Sequence, residues 1–112
     1  MPYTLISEVH SGSAAETAGL QVDDFLIELN GWNMFNLDTP STIHDLQTTL
    51  ASSVHREKEL VVCYWDDNDQ FHFRRLTLPE GATGFNVQSD VGDAEILGRM
   101  QNAYEAWLKE NP

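Results

Sequence analysis

The sequence predicts an α+β fold: a small, partly open barrel or sandwich of about five to six strands with two helices, extended by an amphipathic helix at the C-terminus. Three observations predict it. Ser13 and Glu16 have the Ser-x-x-Glu spacing that caps a helix start, and Gly19 can end that helix after one turn. Short runs rich in β-branched, aromatic and aliphatic residues alternate with turn-forming Asn, Asp and Gly. Ile96, Leu97, Met100, Tyr104, Trp107 and Leu108 recur at helical spacing, as one face of a helix requires. The expected organisation is a domain over residues 1–91 and a helical extension over residues 92–112.

Taken in order, Tyr3 to Val9 has strand composition and ends at Ser11-Gly12, which leads into the capped turn. Asp24 opens an apolar run from Phe25 to Leu29, and Asn30-Gly31 tolerates the positive φ of a tight turn. Trp32 to Pro40 is expected to be a loop, because Asn, Asp and Pro interrupt any periodicity. Pro40 suits a first helical turn, and Ile43, Leu46, Gln47 and Leu50 follow helical spacing, with Leu46 and Leu50 expected to face the core. A polar connection, Ala51 to Lys58, precedes Leu60–Trp65, a run apolar on both faces that belongs inside a sheet. Asp66 to Asp69 reads as a hairpin turn and Gln70 to Leu78 as its returning strand. After a flexible link from Pro79 to Gly84 comes a short strand, Phe85 to Val87, and Asp93 caps the last helix.

Size and charge exclude several functions. A chain of 112 residues supports one modest core rather than two lobes around a cleft. Six basic against eighteen acidic side chains give a net charge of −12, which opposes a phosphate backbone or an anionic membrane. No run approaches the roughly 20 apolar residues of a membrane span, and Met1 to Thr4 has no basic segment before an apolar one, so a soluble cytoplasmic protein is expected. The single cysteine, Cys63, lies in an apolar run and is expected to be a buried thiol. His10, His44, His55 and His72 show no ligand spacing. Asp66, Asn68 and Asp69 lack the glycine and later glutamate of a calcium loop. No base is placed beside Ser11, Ser13 or Ser41, so no catalytic residue, metal or cofactor is expected.

The residues from Gly12 to Gly31 resemble the PDZ domain family. Gly12-Ser13-Ala14-Ala15 is similar to its Gly-Ser-Pro-Ala, Ala18-Gly19-Leu20 to its Ala-Gly-Leu, and Asp24 to Gly31 to its Asp-x-Ile-x-x-Val-Asn-Gly. Ala14 stands where Pro is usual and Asp23 where Gly is usual, the second at a cost if that turn needs positive φ. The family's carboxylate-binding loop, x-apolar-Gly-apolar, has no match near Tyr3. Gly84-Phe85-Asn86-Val87 matches it if Asn86 replaces Gly, Asn being tolerant of the left-handed region. The chain therefore resembles circularly permuted PDZ domains, such as that of the chaperone that helps assemble the proteasome regulatory particle or those associated with bacterial proteases.

That resemblance implies a non-catalytic module that binds the C-terminal tail of a partner by strand addition, possible contexts being complex assembly or service to a protease. Gly84, Phe85, Asn86, Val87 and Gln88 would form the receiving edge, and the N–H groups of Phe85, Asn86 and Val87 would take the terminal carboxylate. Ile43 and Gln47, four apart, would form the opposite wall. Many PDZ domains selective for Ser or Thr two residues before the ligand's end carry a His at the start of this helix. Alignment on Leu46 and Leu50 puts Ile43 there, which implies an apolar ligand residue, and a shift of one brings in His44 and reverses that conclusion. Phe85, Val87 and Ile43 are also consistent with plain core positions. The last helix has three possible burials: its own domain, a second copy, or a partner protein. The competing reading is an oligomerisation domain that uses the edge strand and last helix; a monomer or weak homodimer is expected.

Overall fold

Strand β1 (Pro2–Val9) buries Thr4 and Ile6 on one face and leaves Tyr3 and Leu5 half-buried on the other. The computed structural model describes residues 1–53 and 55–112; Val54, within the expected polar connection, lies outside them. Helix α1 (Ala14–Ala18) forms where the cap predicts it: Ser13 Oγ accepts the Glu16 N–H at 3.2 Å, and the Glu16 carboxylate accepts the Gly12 N–H at 3.0 Å. Gly19, at φ 92°, ends the helix in the left-handed region. Asp23 adopts φ 73°, so the turn does demand the conformation that glycine supplies more cheaply. Asp24 beside it is buried; its carboxylate accepts the Gln21 N–H at 3.1 Å and meets Arg74 at 2.9 Å.

Strand β2 (Phe25–Leu29) leads through Asn30-Gly31 into β3 (Trp32–Asn33), a two-residue strand paired with β2, and then a 3-10 turn over Met34–Asn36. The expected loop is thus partly ordered: the Asn33 side chain accepts the Phe35 N–H at 2.8 Å, and Met34 is buried under the sheet. Helix α2 (Pro40–Ala51) starts with Thr39 as cap and Pro40 as its first residue. Strands β4 (Lys58–Trp65) and β5 (Phe71–Leu78) form the expected hairpin. The last strand, β6 (Phe85–Val91), has seven residues and runs four beyond the predicted Val87, antiparallel to the whole of β1.

One six-stranded sheet in the order β5-β4-β2-β1-β6, with β3 attached to β2, organises the molecule, and its strands pair antiparallel. Interior strand β4 is apolar on both faces because the sheet is covered on both. On one face Ile6, Leu26, Leu29, Leu60 and Val62 pack with Ile43 and Ala51 of α2 and Ala15 of α1. On the other, helix α3 (Ala94–Glu110), capped by Asp93, buries Leu97, Met100 and Tyr104 against Ile27, Val61 and Cys63. Each large aliphatic side chain so buried contributes about 1.5–3 kcal/mol. Of the three burials open to the last helix, the structure takes the first, its own domain. Phe73 meets both Tyr104 and Trp107 with ring centroids 5.8 Å apart, and Arg75 caps Trp107 at 4.8 Å. Among the described residues no helix is long and apolar enough to cross a membrane, and no group of three His, Cys, Asp or Glu could hold a metal ion.

Candidate functional site

Among the described residues, strand β6 has β1 on one side and no strand on the other, so one row of its backbone groups lacks a sheet partner. The His10 N–H donates to the Gly84 carbonyl at 2.7 Å. That peptide is trans and planar, so its other polar group, the Phe85 N–H, points the opposite way, to the open side. Strand alternation brings the Val87 N–H to the same side and turns that of Asn86 toward β1. Of the three donors expected to converge on a carboxylate, two therefore share the open edge. Asn86 does not take up the left-handed conformation; its side chain instead reaches Glu8 at 2.8 Å.

Across this edge stands α2, and between them lies a hollow of about 180 Å³ lined by His44, Thr48, Ala51, Ser52, Phe85, Asn86 and Val87. Phe85 and Val87 form its apolar floor while belonging also to the core. Gln88 is exposed on the edge beyond it. Ile43 and Gln47 do not form the wall. Both are fully buried under the sheet, and the Gln47 amide donates to Thr4 Oγ1 at 2.6 Å and meets Met34 Sδ at 2.8 Å. Leu46 and Leu50, expected to face the core, are only half-buried. The helix is thus turned about one residue, 100°, from the expected setting. A hydrogen-bonded amide lets Gln47 occupy a core position that its polarity argued against. His44 and Thr48, one turn apart with Nε2 and Oγ1 at 3.5 Å, take the wall instead.

The end of the hollow is fixed by contacts from three directions. Gly84 adopts φ 79°, and a Cβ there would lie 2.1 Å from Ser13 Cβ, so the strand enters directly against the cap of α1. The Ala15 N–H donates to the Thr83 carbonyl at 3.0 Å, and buried Thr83 Oγ1 donates to the Ala51 carbonyl at 2.7 Å. Lys58, fully buried, donates to the Arg56 and Gly81 carbonyls at 2.8 and 3.3 Å. The motif at Gly12 to Leu20 therefore braces the receiving loop.

A family model for the PDZ domain matches residues 5–63, just over half of the chain. The chain belongs to the PDZ family. Such domains are protein-interaction modules, and this PDZ domain carries an edge strand beside a helix, as that role needs. The match runs from within β1 to within β4, so the α2 side of the hollow lies inside its limits and β6 lies beyond its end. Comparison with curated proteins gives no match. The sequence signal for the wall was present in His44, but the leucine pair pointed to the wrong setting of the helix.

Proposed function

We propose that this PDZ domain captures the free C-terminus of a partner protein by adding it as an antiparallel strand to β6. The observation that carries the reading is the unpaired edge whose Phe85 N–H faces the hollow bounded by His44, Thr48, Phe85 and Val87. An extended tail would satisfy the open backbone groups, which supply affinity independent of sequence. Its last side chain would rest on Phe85 and Val87, and its carboxylate would take the outward N–H groups. His44 is placed to hydrogen-bond a Ser or Thr hydroxyl two residues before the end, in place of the apolar preference expected with Ile43 there. The receiving strand is the last of the sheet in sequence order, which supports the circularly permuted arrangement. We propose that the domain acts as an interaction module without catalysis, as PDZ domains typically do.

Calorimetric titration with peptides ending in Thr-Ala-Val tests this reading. Binding is expected for the free acid and abolished by C-terminal amidation, and His44→Ala should reduce affinity about three- to tenfold, the loss of one hydrogen bond of about 1 kcal/mol. Equal binding of acid and amide contradicts it.

A further inference from the structure

Strand β6 and helix α2, which bound the hollow, and β1, the strand paired with β6, contain no lysine or arginine. They do carry Glu8, Asp45 and Asp90, all exposed. Of the six positive side chains, four are engaged elsewhere: Arg74 pairs with buried Asp24, Arg99 with Asp69, Arg75 lies over Trp107, and Lys58 is buried on carbonyls; exposed Arg56 and Lys109 lie outside these three elements. A ligand carboxylate must thus approach a chain of net charge −12 along an edge framed by acidic residues. The edge also outruns the hollow. Its floor ends at Val87, whereas β6 continues through Gln88, Ser89, Asp90 and Val91 with Val91 59 % exposed. An antiparallel tail entering with its terminus at Phe85 would lay its earlier residues along this acidic stretch.

We infer that the natural partner is a tail with lysine or arginine upstream of its last residues, about four to six positions before the carboxylate. Those cations would lie near Asp90 on one side, while Asp45, three residues before Thr48, projects from the outer shoulder of the helix on the other. They offset the repulsion between the ligand's carboxylate and the domain, and they steer the tail into the productive direction. Glu8 contributes less, since its carboxylate already accepts from Asn86 and lies 3.4 Å from His10 Nε2. This inference rests on the strand-addition reading above.

Fluorescence anisotropy with three labelled peptides tests it. All end in Thr-Ala-Val and differ only in carrying two Lys, two Ala or two Glu upstream. At about 50 mM salt, where screening is weak, affinity should fall in the order Lys, Ala, Glu, with about tenfold between the extremes; the gap should largely close near 0.5 M salt. The double variant Asp45→Asn, Asp90→Asn should narrow it to about twofold at low salt. Asn at residue 90 keeps a side-chain oxygen for the Val91 N–H that Asp90 now accepts at 2.8 Å, and circular dichroism checks the fold. Carboxylate-dependent binding without this order, or with the order unchanged in the double variant, overturns the charge inference alone. Binding that survives amidation, or no binding by any free-acid peptide, overturns the strand-addition reading and this inference with it.

Discussion

A methyl group at Gly84 would lie 2.1 Å from the Cβ of Ser13, the residue that caps α1. Gly84→Ala should therefore cost about 1–3 kcal/mol in denaturant unfolding, and adding Ser13→Gly should recover part of it, because the cap loses only a few tenths while the clash disappears. No recovery would place the cost in backbone strain alone. Two carboxylates should titrate in opposite directions from the ordinary value. Burial raises Asp24 despite the Gln21 N–H and Arg74, whereas the His72 hydrogen bond lowers half-buried Asp66. Asp24 binds its proton more tightly folded than unfolded, so its contribution to stability is present at low pH and is lost as pH rises through its raised pKa. The Asp66 contribution runs the other way, present above the ordinary pKa and lost as pH falls through the depressed one. Carbon-detected titration should find Asp24 above Asp66; the reverse order contradicts this account. Burial also pushes the Cys63 thiol up to about 12, so a thiol reagent at pH 8 should react only after unfolding.

Among elements, α3 was the easiest to read, since a 3.6-residue apolar period needs little context. Its position was not readable, because the face it covers is assembled from β2, β4 and β5, far apart in sequence. Met100→Ala should cost about 2–5 kcal/mol of stability, and truncation after Gly92 should destabilise the sheet without increasing peptide affinity, because the helix lies on the face opposite α2. Increased affinity on truncation would contradict that placement. The α1 turn and the interior position of β4 were both legible, from cap spacing and from a run apolar on both faces. The setting of α2 was obscured by Gln47, whose burial depends on Thr4, forty-three residues away. The second half of β6 was hidden by Ser89 and Asp90, residues that pair in a sheet here yet read locally as a loop.

At the scale of the whole molecule, two sheet edges are unpaired among the described residues, and they differ in character. The outer strand β5 carries Arg74 and Arg75, charges that discourage edge-to-edge pairing, while β6 lies beside a helix with an apolar floor between them. Net charge of −12 repels a second copy, so we propose that the isolated domain is monomeric. Sedimentation at several concentrations checks this, and a concentration-independent dimer would support the oligomerisation reading instead. The family signature lies at Gly12 to Gly31, far from β6 in sequence, yet Ser13 and Ala15 touch the entry to that strand. The family signature and the hollow thus lie in different parts of the chain that meet at the entry to β6. The most direct test of the central claim is amide shift mapping by NMR with a free-acid peptide ending in Thr-Ala-Val and its amidated counterpart. Strand addition predicts that the acid alone perturbs Phe85, Val87 and Gln88 together with His44 and Thr48. Perturbations confined to β5 and α3, or equal for both peptides, would contradict it.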